Sequence, residues 1–446
     1  MDLQRNYMSS KTTSTFLTVL FLSLSVLPGL AQTTARRQDL INVPTAYPIK
    51  LPGGRLPEAQ IEDAVDCNSP IHWDEKGRMY AFTSVRHPFR STGTKLHDLS
   101  NPSVKTTIVH REGVEGGKWL EATYRDPDGT LYGWYHNEPP PPCSNDLHLS
   151  APRIGVMVSR DEGLNWQDLG LVLEAPADSF NCYTKNFYFA GGNGDFSVIL
   201  DQEKRYFYFF FGSYNAQLDE QGIAIARMRY EDRNNPIGNV WKWRNGAWTE
   251  PGLGGRVTPI FNVTKDWHSA TPDAYWGPSI HFNTYLNQYV IVMNRAIDPY
   301  WLQEGVYITY NADVSDPRGW SDPGRLPIDP QARAYPQIVG IEKGETDKLA
   351  GRYGRLFLLG VSNWVIEFNR GDEGPEDEGL PPAPVRSSRS KTPSPDRQSV
   401  RPARPSFLTD LDKQTSVGKT EPPALPTAPA RPIESRPRTR PDRSRR

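Results

Sequence analysis

Residues 154–169 read IGVMVSRDEGLNWQDL and decide how the rest of the chain is read. A short apolar run, 154–158, enters the octet Ser159-Arg160-Asp161-Glu162-Gly163-Leu164-Asn165-Trp166. Ser159 and Asp161 can bind the amides of a tight turn, and Gly163 supplies a position with positive φ. Trp166 can pack beneath the loop. The octet is therefore a strand-to-strand turn, and its role is bracing rather than chemistry.

Working outward, the same grammar recurs: apolar strand, polar turn, aromatic strand. SPIHWDEKGRMYAFTS (69–84) is the first copy and LEATYRDPDGTLYGWYH (120–136) the second. DFSVILDQEKRYFYFFFGS (195–213) and PSIHFNTYLNQYVIVMN (278–294) follow, with a looser fifth copy over 335–362. Turns such as Asp74-Glu75-Lys76-Gly77 and Asp126-Pro127-Asp128-Gly129 carry hairpin chemistry. Outer strands are expected at 222–230 and 305–313, each leading to a turn and a Trp (Trp248, Trp320) as Trp166 closes the second unit. Five hairpins at intervals of roughly 50–80 residues predict an all-β fold, a five-bladed β-propeller over 63–370. A segment within 32–62 could supply a strand that closes the ring.

Composition agrees. The 446 residues include 12 Trp, 20 Tyr, 17 Phe, 41 Pro and 36 Gly, a bias towards short strands and many turns. A net charge of −1 argues against nucleic acid as a partner. Basic residues, an apolar run over 16–27 and small residues at Gly29 and Ala31 predict a signal peptide over 1–31 and a secreted protein, periplasmic or extracellular. The run is too short for a stable membrane span. Residues 371–446 are rich in Pro, Ser and Arg and nearly free of aromatics, and are expected to form a disordered tail. Its basic end could contact an anionic envelope surface. Cys143 and Cys182 lie in polar loops and could pair, leaving Cys67 free. No His/Cys spacing suits a metal, so none is expected in the site; no cofactor is required, although a structural calcium could sit in the channel.

In a propeller the starts of the inner strands converge on one mouth of the central channel. Three consecutive blades then offer a carboxylate to that mouth: Asp66, Glu121 and Asp195. Cleavage of a glycosidic bond needs such a set, one group to protonate the leaving oxygen and one to activate water or attack carbon. Trp119, Tyr275, Trp276 and Tyr335 are candidate platforms for sugar rings. His136 and Glu138, two apart on one strand, could line the same mouth. Glu304 is a spare acid.

The strand-start carboxylates, the Trp276-Gly277-Pro278-Ser279 segment and the five repeats resemble the five-bladed glycoside hydrolases of families 43 and 32, over about 63–368. The octet at 159–166 matches the sialidase-type Asp-box, S-x-D-x-G-x-x-W. The resemblance implies a base or nucleophile at Asp66, a tuning carboxylate at Glu121 and a general acid at Asp195. This chain reverses the family's usual Asp and Glu in blades two and three, and has Cys67 where Pro is usual after Asp66. A sialidase arginine triad is not defined by the spacing of Arg86, Arg227 and Arg295. The expected function is hydrolysis of an oligo- or polysaccharide by a secreted monomer. A non-catalytic carbohydrate-binding propeller and an envelope scaffold docked through its tail are the alternatives.

Overall fold

A computed structural model describes residues 44–55 and 65–371, apart from 97, 100–102, 144–148, 302 and 329–333. The expected signal peptide and the tail beyond 371 lie outside the described residues.

Five mainly antiparallel sheets follow one another along the chain. Blade 1 comprises Ile71–Trp73, Met79–Phe82, Phe89–Gly93 and Val104–Lys105. Blade 2 comprises Trp119–Arg125, Leu131–Asn137, Arg153–Ser159 and Asn165–Leu173, with Thr107–Val109 added in parallel at its outer edge. Blade 3 runs from Asn193–Leu200 through Tyr206–Ser213 and Gly222–Arg229 to Val240–Arg244 and Ala247–Pro251. Blade 4 holds Ala274–Asn283, Gln288–Ala296, Gln303–Asn311 and Gly324–Arg325. Blade 5 holds Pro336–Gly340, Tyr353–Leu358 and Val361–Asn369, and its outermost strand is Thr45–Arg55, antiparallel to Val361–Asn369. The fold is a five-bladed β-propeller.

The apolar core is divided among the blade interfaces. The run Tyr206-Phe207-Tyr208-Phe209-Phe210-Phe211 shows why. Phe207, Phe209 and Phe211 enter the cluster shared with blade 2, around Trp134 and Val156. Tyr208 and Phe210 enter the cluster shared with blade 4, around Ile280 and Ile291. Successive side chains of a strand point to opposite faces, so a sheet buried on both faces needs an unbroken apolar run. Corresponding clusters fill the gaps between blades 4 and 5, 1 and 2, and 5 and 1.

The octet forms the expected turn. Asp161 Oδ1 accepts the amides of Leu164 (3.1 Å) and Asn165 (2.9 Å), and Ser159 Oγ accepts that of Gly163 (3.0 Å). Gly163 has φ +79°, and Trp166 is buried edge-on against Phe82 of blade 1. The turn thus locks two neighbouring blades at their outer part.

Candidate active site

Three inner strands break register at the same end. The shifts fall between Leu120 and Ala122, between Gly194 and Phe196, and between Trp276 and Ser279. A bulge turns the extra residue out of the regular alternation. The extra residues in blades 2 and 3 are Glu121 and Asp195. Asp195 has φ +43°, and Cys67, beside Asp66, has φ +121°. Non-glycine residues in such regions carry backbone strain of about 1–3 kcal/mol each, held by the surrounding packing.

Glu121 is fully buried. Its Oε2 accepts the Phe196 amide at 2.7 Å and its Oε1 lies 3.1 Å from His136 Nδ1. Burial opposes a charge on His136, but the hydrogen bond and charge of Glu121, with Glu138 and Asp195 nearby, outweigh it and lift the imidazole to about 9. His136 is therefore a cation at neutral pH, and its Nδ1–H donates to Glu121. The Asp195 amide, 3.4 Å from the same nitrogen, is then a packing contact only. His136 Nε2 stands 3.4 Å from Glu138 Oε1, which is partly open to solvent.

Asp195 is buried and accepts the Tyr214 hydroxyl at 2.5 Å. Burial raises its carboxyl to about 7, with Glu121 and Glu138 adding to the rise and His136 and Tyr214 opposing it. Asp66 accepts the Trp119 indole N–H at 2.9 Å. Burial and the Glu138 charge raise it to about 6 against hydrogen bonds from Tyr335 and Trp119. Tyr335 lies within electrostatic reach of both Asp66 and Asp195. The mouth thus holds two carboxyls that titrate near neutrality, a cation, and a third carboxylate tied to backbone and imidazole.

Of the residues singled out in the sequence, Asp66, Trp119, Glu121, His136, Glu138, Asp195 and Tyr335 meet here. Two proposed platforms differ from expectation. Tyr275 does not join the cluster: its ring packs on Phe261 and Tyr307. Trp276, its neighbour on the strand, faces the other way and is 2% exposed, edge-on to Tyr335 and Trp301. Period-two alternation allows only one of the pair to face the mouth, and that one is covered. Glu304 is taken by Tyr307 and Arg325. Arg295 pairs with Asp273 and Arg227 lies between Tyr206 and Trp248, so no arginine triad faces the mouth with them.

Sequence reasoning missed Tyr214 and the placement of Cys67. The Cys67 thiol and one oxygen each of Glu121 and Asp195 lie within 4.8 Å of one another, and burial beside these carboxylates pushes the thiol well up. One thiol and two carboxylates already bonded to protein groups do not make a calcium cage, which takes six to eight oxygen ligands. Cys143 and Cys182 form a disulfide, and Cys67 is free and buried. Two clefts lie away from this mouth. One, of about 530 Å³, is lined by Trp243, Arg318 and Trp320, and the other, of about 320 Å³, by His72, Thr123 and Lys348.

No protein-family profile and no curated protein matches the sequence. Among solved structures, the chain is similar to an exo-β-1,3-galactanase from Phanerochaete chrysosporium bound to β-1,3-galactotriose, at 13% identity and TM-score 0.40, over 73% of this chain and 64% of that one. It is similar to a thermostable family-43 glycoside hydrolase (11% identity, TM-score 0.40, 76% and 99% covered). A third similar structure is the endo-arabinase from Bacteroides thetaiotaomicron (12%, 0.42, 70% and 96%). The chain spans just under two thirds of the length of the fungal galactanase.

Proposed function

We propose that this propeller hydrolyses glycosidic bonds of an oligo- or polysaccharide at the mouth lined by Asp66, Glu121 and Asp195. The observation that carries the reading is geometric: bulges at the same end of two neighbouring inner strands bring buried Glu121 and Asp195 together, with Asp66 held beside them by Trp119, and burial raises the carboxyls of Asp66 and Asp195. A general acid must hold a proton at working pH and its partner must have lost one, and separating two carboxyls by environment is how one site runs both roles. Asp195 then protonates the leaving oxygen, and Asp66 activates water or attacks the anomeric carbon. Glu121 orients His136 and, through the Phe196 amide, the strand that carries Asp195. The 159–166 turn is read as an Asp-box that braces blade 2 and takes no part in chemistry.

The remaining features extend the proposal. The Cys143–Cys182 disulfide supports export to an oxidising compartment. The basic tail would hold the monomeric enzyme to an anionic envelope surface.

The test is turnover of a panel of aryl glycosides and polysaccharides by the wild type, Asp66→Asn and Asp195→Asn. Activity that falls at least roughly a hundredfold in both variants supports the assignment. Absence of turnover on every substrate, with glycan affinity equal in all three proteins, would replace it with a carbohydrate-binding propeller.

A further inference from the structure

Two of the rings first considered as sugar platforms are taken: Trp276 is buried and Tyr275 packs away from the mouth. Large exposed rings gather elsewhere. Tyr183 is 82%, Phe187 52% and Tyr300 63% exposed, with Tyr188 and Ile297 also exposed. They come from two loops, one entering blade 3 and one joining the second and third strands of blade 4. Phe187 and Tyr300 meet across the loops, stacked at 4.5 Å with an 18° interplanar angle.

The loops that carry this patch pack, through buried rings, against the residues of the mouth. Tyr188 feels the charge of Asp66 and packs edge-on against Trp301. Trp301 packs on Trp276, and Trp276 on Tyr335, which bonds to Asp66. The loops are also held in shape. Cys182 is tied to Cys143, Asn186 Oδ1 accepts the amides of Tyr188 (3.0 Å) and Phe189 (2.8 Å), and Asp298 Oδ1 accepts that of Tyr300 (3.0 Å). Exposed aromatic rings on braced loops beside a site lose little conformational freedom on binding a ligand.

We propose that the stacked pair Phe187 and Tyr300 forms a stacking platform for a sugar ring beyond the one held by the carboxylates. The substrate is accordingly a chain of sugars that extends from the mouth over this rim, not a single-sugar glycoside. The inference rests on the glycosidase reading for the position of the cleaved bond, but the platform itself is tested by binding alone.

Neutral oligosaccharides of graded length, chosen from a glycan array, are titrated calorimetrically against wild type, Phe187→Ala, Tyr300→Ala and Tyr300→Phe. Wild-type affinity should rise with chain length. Both alanine variants should lose about tenfold on the longer chains, equivalent to ~1.4 kcal/mol, and Tyr300→Phe should keep its affinity because it keeps the ring. Where turnover is present, the ratio of kcat/KM on an oligosaccharide to that on the matching aryl glycoside should fall by a similar factor in the alanine variants. Length-dependent binding with no turnover would leave the platform standing and sink the hydrolase reading. Affinity independent of chain length, or equal in all four proteins, would overturn the platform. So would wild-type dimerisation in sedimentation velocity that Tyr300→Ala abolishes, since the rim would then be a self-association surface.

Discussion

The Glu121 carboxylate of blade 2 accepts the backbone amide of Phe196 in blade 3 at 2.7 Å, with its other oxygen 3.1 Å from His136. One buried side chain therefore sets both the strand that carries Asp195 and the imidazole beside it. In Glu121→Gln the amide oxygen can still accept from Phe196, but the charge facing His136 is gone. Breaking one side of a buried ion pair costs about 3 kcal/mol or more. Urea unfolding at pH 7 should show a loss of that order. Turnover on the panel above should fall by more than the loss of folded protein explains.

His136 gives stability a pH signature. Its folded value, about 9, lies above the ordinary 6.5, so the folded state binds the extra proton. The resulting stability is fully present below pH 6.5 and disappears as pH rises through 9. A shift of that size corresponds to about 3 kcal/mol. Unfolding free energy measured between pH 7 and 10 should fall for the wild type by an amount of this order. His136→Asn should show a flatter profile over the same window.

For Asp66 and Asp195 the sign is also set by raised values, about 6 and about 7 against 3.8. Each binds its proton more tightly when folded, so stability falls as pH climbs from about 4 to 7. Asp195→Asn should therefore be more stable than the wild type at pH 8, and the difference should vanish near pH 3.5. Catalysis should show a narrow bell with limbs near 6 and 7, apparent values that belong to the coupled site rather than to single residues. A rate flat from pH 4 to 9 would contradict both roles.

Gly194 tests how tightly the mouth is packed. A Cβ there would stand 2.8 Å from the His136 ring and 2.6 Å from Pro152 Cβ. Gly194→Ala must push the imidazole off Glu121 or shift the strand that carries Asp195. Activity should drop at least roughly tenfold, since misplacement by about an ångström can cost a hundredfold. Comparing the pH-rate profile with that of the wild type should reveal a displaced His136 as a moved limb.

At the outer turn, Asp161→Ala removes the acceptor for the Leu164 and Asn165 amides. A loss of about 1–3 kcal/mol in unfolding free energy is expected. KM and kcat at 25 °C should stay at wild-type values, because the turn braces blades 1 and 2 away from the mouth. A fall in kcat without a fall in stability would give the turn a part in chemistry.

Much of this protein could be read without its structure. Strand, turn and hairpin signals act over fewer than about ten residues, so the five repeats and the turn at 159–166 were legible. Strand-start position was enough to place Asp66, Glu121 and Asp195 at one mouth, because every blade enters the ring in the same sense. What period-two alternation alone misread was facing: the bulge beside Trp276 and the packing of Tyr275 on Tyr307 depend on the neighbouring strands. The union of Cys67 with Glu121 and Asp195, the cation on His136 and the meeting of Phe187 with Tyr300 all join residues distant in sequence. Local propensity determines the blades; burial and charge at the place where blades converge are properties of the closed ring, and only tertiary packing decides them.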